Sequence, residues 1–301
     1  MRKITTLIIT LLLFSNLSAQ ERFIDTALIY KPLKKIKLAS AINETSGLIY
    51  YDNLFWTIND SGGKPIIYGF NEKTGGLKKK VKVLFSDNFD WESICQDSLY
   101  IYIGDFGNNS GTRKLYKIFK ISKKSITDKT KCSVIPEVIN FTYEDQTDFT
   151  RGNLQTAYDC EAFMCYNDKL YLFSKNWKTR HTTLYKLPNT KGKYKAKKLF
   201  TFNSDGLITG ADISKDNKIV ALIGYKNFYP FMWIFTDFKK DNFFSGNKVR
   251  LNLNSIYNAQ TESIAFKKAD TDTVYVTCEK SKFKQSIFTF PIKKIKKIIN
   301  Y

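Results

Sequence analysis

The sequence predicts an all-β fold: a β-propeller, most simply five four-stranded blades closed by an N-terminal strand. Three observations carry this expectation. The composition suits strands, one strand plan recurs about every 50 residues, and an early apolar strand complements the last repeat, which lacks its fourth. The chain has 301 residues, 43% hydrophobic and 15% aromatic, with 18 Tyr and 24 Phe. Tyr, Phe, Ile and Thr fit pleated, half-buried surfaces, and a chain of this length can bury a large single core.

The elements follow in order. MRKITTLIITLLLFSNLSAQ has a basic start, an apolar run over Ile4–Leu13 and small residues at Ser18 and Ala19. This is the pattern of a secretory leader cut after Ala19. It predicts a leader over 1–19, one propeller domain over 20–301, and an extracytoplasmic location, periplasmic or secreted. The run is too short for a spanning helix and no second one follows, so no transmembrane segment is expected.

Five segments then share one plan, beginning TSGLIYY at Thr45, WESICQ at Trp91, CEAFMCY at Cys160, GADISKD at Gly210 and TESIAF at Thr261. Each runs apolar strand, Asp/Asn-rich turn, second apolar strand, polar loop and aromatic third strand. KKKVKVLF, EVINFTY, AKKLFTF and NKVRLNL supply fourth strands, as in propeller blades. Insertions over Ser122–Pro136 and Glu144–Tyr158 lengthen one spacing. The fifth repeat ends in PIKKIKKIINY, so ALIYKPLKKIKLA, residues 27–39, is the expected closing strand, which removes an exposed edge. A six-bladed count would hide repeats in the insertions. The basic tail has an alternative reading as a short amphipathic helix on a membrane surface.

The formal charge is +20. It attracts anions such as phosphorylated compounds, acidic glycans or anionic surfaces, or it is simply a solvated Lys-rich face. Nucleic acid is excluded as a partner because the lysines are dispersed and no recognition motif accompanies them. The five cysteines are odd in number and have no CxxC spacing; Cys95, Cys165 and Cys278 sit in apolar strands and read as buried thiols.

Aligning the first strands puts Ser46, Glu92, Glu161, Ala211 and Glu262 in register. First strands line a propeller's channel, so these side chains converge. Like charges that close need a counter-ion, and oxygen-only donors favour calcium. Ser46, Glu92, Glu161 and Glu262 are therefore candidate calcium ligands; the alternative is that each acid caps a strand end. Loops after the second strands add Asp60, Asp105, Asn108, Asn109, Lys175, Asn176, Lys226, Glu279 and Lys280, while Asp90, Arg151 and Asp159 come from preceding loops. Of these, Asp60, Asp105, Asn108, Asn109, Asp159, Lys175 and Lys280 form the candidate ligand face, unless ordinary turn chemistry accounts for them. The expected partner is an anionic or hydroxylated small molecule, or a protein, bound by a monomer.

The motifs ETSGL with INDSG, DWESI with GDFGNN, DCEA, GADIS and TESIAF resemble bacterial extracytoplasmic propellers. These are grouped with phytase-like proteins of esterase-like activity and with an SdiA-regulated group. The resemblance spans nearly the whole mature chain and implies the fold more than a reaction. A weaker resemblance is to calcium-dependent apyrases, five-bladed propellers holding calcium through Ser and Glu of successive first strands; Ser46, Glu92 and Glu161 match that ring and Ala211 departs from it.

The lone histidine, His181, lies in a polar loop, so a Ser-His-Asp triad is not expected. No HExxH, zinc spacing, phosphate loop or dinucleotide fingerprint is present. Three functions remain: a propeller that binds a ligand on its channel face around calcium, a calcium-dependent phosphoester or ester hydrolase, or a structural surface protein.

Overall fold

The computed structural model describes residues 23–60, 62–267 and 270–299, and the chain forms β-sheets almost throughout. The leader expected over 1–19 lies outside the described residues. Two strands come first, β1 (Phe23–Ile29) and β2 (Lys34–Lys37). A first meander follows: β3 (Thr45–Tyr51), β4 (Leu54–Asn59), β5 (Ile66–Phe70) and β6 (Leu77–Val83). The next unit holds β7 (Trp91–Gln96), β8 (Tyr100–Asp105), β9 (Tyr116–Ser122), a detour through β10 (Lys131–Val134), and β11 (Glu137–Tyr143). Then come β12 (Asp159–Tyr166), β13 (Lys169–Lys175), β14 (Thr182–Pro188) and β15 (Gly192–Phe202). β16 (Leu207–Ile213), β17 (Ile219–Lys226), β18 (Tyr229–Thr236) and β19 (Asn247–Asn252) form another meander. The last has β20 (Thr261–Lys267), β21 (Asp270–Cys278) and β22 (Ser286–Pro291), followed by helix α1 (Lys293–Ile299).

The inner strands β3, β7, β12, β16 and β20 neighbour one another in that order, and β20 returns to β3. This cyclic order defines a propeller-like ring. Apolar side chains accordingly pack between units, because each twisted sheet buries both faces against its neighbours. Trp56 meets Trp91 and Phe119 in one cluster, Tyr102 and Phe106 meet Phe163 in another. Further clusters join Phe173 to Trp233, Met232 to Phe288, and Phe55 to Ala265.

Closure uses the N-terminal segment, as the sequence predicts. β2 pairs antiparallel with β22, Lys34 opposite Thr289 through Lys37 opposite Ser286, and completes the last sheet. β1 adds in parallel to β19. The Ser122–Pro136 insertion sends β10 back to β6, also in parallel. β11 and β15 pair in parallel and merge two units into one eight-stranded sheet. A buried hydroxyl chain fastens the closing seam: Thr45 Oγ1 lies 2.7 Å from Thr57 Oγ1 and 3.1 Å from Thr277 Oγ1.

The tail is a helix, but its apolar side faces the protein. Ile295 and Ile299 are buried in the cluster that holds Phe290, and Lys296 Nζ reaches Asp272 Oδ1 at 2.7 Å. That burial removes the apolar face a membrane would take. Among the described residues no helix is long and apolar enough to cross a membrane. All five cysteines are unbridged.

Candidate functional site

The inner hairpins share a local irregularity at their channel-mouth end. The register slips between Trp91 and Ser93, Cys160 and Ala162, Ile208 and Gly210, and Thr261 and Ser263. The extra residues are Glu92, Glu161, Thr209 and Glu262; in the first unit the slip falls between Ser46 and Ile49. A bulge re-aims the side chain it carries. The repeat position therefore reads Ser46, Glu92, Glu161, Thr209, Glu262. Ala211, placed there by sequence alignment, sits two residues further along β16. The correction has a physical reason: a slip of two residues leaves a strand's period-2 apolar pattern unchanged, so that pattern cannot register it.

The two hydroxyls at this position act as fasteners. Ser46 donates to the Glu92 carbonyl oxygen on the next unit. Thr209 Oγ1 donates to the Thr261 carbonyl at 2.6 Å. The three glutamates are buried, each less than 7% exposed. Burial raises Glu92 well above the usual carboxylate range, with Glu161, Asp60, Asp90 and Asp159 adding to the rise. Burial likewise raises Glu262, and Glu161 is the strongest charge acting on it although a whole unit separates them on the ring. The three acids thus belong to one electrostatic cluster.

Compensation is uneven. Lys175, at the end of β13, is buried and ion-pairs with Glu161 Oε1. Its ammonium also stands 4.6 Å from the Trp177 ring centre and 5.4 Å from that of Tyr225. Burial still pushes Glu161 up to about 7 against the pull of Lys175. On the adjoining arc, ligand oxygens of Asp60, Asp90 and Glu92 lie within 4.8 Å of one another. Burial and the neighbouring acids push Asp90 up to about 7, with Arg113 pulling it down. Gly107 completes this pocket: a Cβ there would collide with Asp90 Oδ2 and Glu92 Oε1. Glu279, after β21, is raised by burial to about 8. Two buried oxygens in the cluster, Glu161 Oε2 and Glu279 Oε1, have no hydrogen-bond partner among the described residues. Buried polar atoms normally have one.

The rest of the predicted ligand face divides. Asp105 is buried and holds Arg113 Nη2 at 2.5 Å. Asn108 donates to Tyr116 at 2.9 Å, accepts the Arg113 N–H, and gives its own N–H to Asp159 Oδ1 at 2.7 Å. The other Asp159 oxygen takes the Trp177 indole N–H at 2.8 Å. These residues brace the rim. Asn109 is half-buried there, its carbonyl accepting the Leu154 N–H, and Lys280 is exposed beside Glu279. Asp90 was visible in DWE, where alternate residues share one strand face; Thr209, Gly107 and the Lys175–Glu161 pairing carried no local signal.

Fold and site together define an all-β, propeller-like protein with an acid-lined channel mouth. The chain matches no protein-family model and no curated protein sequence. Among solved structures it is similar to the hydrazine synthase of Kuenenia stuttgartiensis, at 10% identity and a TM-score of 0.44, over 85% of this chain and 67% of that one. The fold assignment rests on the sheet topology of the chain itself.

Proposed function

We propose that this protein is an extracytoplasmic five-bladed propeller that binds a small ligand on its channel face around a calcium ion. The observation that carries the reading is the convergence of Asp60, Asp90 and Glu92, supported by the unpartnered buried oxygens of Glu161 and Glu279. Carboxylates crowded this closely favour a bound cation, and an all-oxygen donor set suits calcium. Asp60, Asp90 and Glu92 would hold the ion, with Glu262 and Glu279 facing it. Glu161, already paired with Lys175, and Ser46, bonded to a carbonyl, are supports rather than first choices. A bound calcium would supply positive charge and open coordination positions for ligand oxygens.

A second reading is a calcium-dependent phosphoester or ester hydrolase. One observation favours it: Asp90 and Glu279 are raised to about 7 and 8, the range suited to moving protons near neutrality. The test is thermal melting in calcium against chelator. Binding to the folded state raises the melting temperature by mass action, and the rise should vanish in Asp90→Asn and Glu92→Gln. An unchanged melting curve in the parent protein would remove the cation. Turnover of nucleotides, phytate or simple esters that is lost in the same variants would favour the hydrolase.

A further inference from the structure

We propose that a cavity at the rim, between the β17–β18 turn and the loops flanking β20 and β21, receives a polyhydroxylated ring, a saccharide unit. This names the ligand class for channel-face binding and rests on that part of the reading, not on the cation. The cavity measures about 460 Å³ and is lined by Tyr225, Phe228, Tyr257, Asn258, Gln260 and Ser281 among others. That volume lies within the range of small-molecule sites.

Its aromatic rings are held outward. Phe228 is 68% and Tyr257 42% exposed. Asn227 and Phe228 form the turn with φ of +50° and +66°. Glycine is the usual residue at the second such position, and a bulky ring there costs strain that functional sites tend to carry. The Asn258 N–H pins the turn through the Phe228 carbonyl at 3.0 Å. Tyr257 is braced on one side by Tyr229, ring centres 4.4 Å apart. Two aromatic faces thus meet the amides of Asn258 and Gln260 and the hydroxyl of Ser281.

Two lining residues adjoin the acid cluster. The Gln260 carbonyl accepts the Glu279 N–H at 2.9 Å, and Tyr225 stands against Lys175, the partner of Glu161. Sugar rings present C–H faces to aromatics and hydroxyls to the amides of Asn258 and Gln260, the Ser281 hydroxyl and the Lys282 ammonium, which also lines the cavity.

The experiment is titration calorimetry with cellotriose, chitotriose and maltotriose, with AMP as the charged stacking control, in calcium and again in chelator. One saccharide should bind, with affinity reduced about tenfold or more in Tyr257→Ala and Phe228→Gly, the loss typical of a stacked anchor. Phe228→Gly is at home at φ +66°, so it removes the ring without disturbing the turn. Binding of no saccharide, preference for AMP, or full affinity in both variants would overturn the proposal. Calcium-raised melting without saccharide binding sinks the saccharide alone. Saccharide binding that ignores chelator, with no calcium effect on melting, sinks the cation alone.

Discussion

Two arcs of the channel mouth carry the same residue type at the same repeat position and solve its charge differently. Glu161 has a buried ammonium from its own hairpin, Lys175, enclosed by Trp177 and Tyr225. Glu92 has instead Asp60 and Asp90 within a few ångströms and a glycine where a side chain could have filled the space. One arc brings its counter-ion covalently attached; the other gathers further carboxylates, and on the proposed reading takes a cation from solution.

The most severe way to break this contrast is Lys175→Met. It strands Glu161 as an unpaired buried carboxylate, and removing one partner of a buried pair costs about 3–5 kcal/mol. Urea denaturation should show that loss, and calcium should recover part of it if the cation can spread over both arcs. A loss below about 1 kcal/mol, the level of an exposed pair, would mean that Lys175 does not compensate Glu161.

Gly107→Ala acts on the other arc. Its Cβ would occupy the space between Asp90 Oδ2 and Glu92 Oε1, while the backbone there is not left-handed. The protein should fold normally in chelator and lose its calcium-dependent rise in melting temperature. Retention of that rise would move the cation away from this pocket.

The gentlest probe is pH. Asp90, Glu161 and Glu279 sit at about 7, 7 and 8 against ordinary values of 3.8, 4.5 and 4.5. The folded state therefore holds protons that the unfolded chain releases, and stability falls as pH rises from about 4 to 8. In chelator the melting temperature should drop across this window. With calcium the drop should shrink, because the ion favours the ionised carboxylates. A flat profile in chelator would show that these acids are not buried together.

Much of this was legible before any coordinates. Strand alternation, turn residues and the missing last strand disclosed the ring and its closure by residues near Lys34–Lys37. The glutamates of WESI, CEAF and TESI stood out because a carboxylate beside an apolar strand has few reasons to recur. What stayed hidden depends on phase and on distant partners. The two-residue offset between Thr209 and Ala211 leaves no mark in a period-2 apolar pattern. Asp105 and Asn108 looked like free rim groups, yet Arg113, Tyr116 and Asp159 engage them. The aromatic cavity draws on three separate segments, none unusual alone.

The closing strand has a further consequence, in time rather than space. β2 is synthesised well before its partner β22. Until Ser286–Pro291 emerges, residues 34–37 have no edge to join, and the ring stays open with one apolar flank exposed. Contacts of such long sequence separation make folding slow. Completion must then be a late, all-or-none event, and the carboxylates of the first and last units can gather only after it.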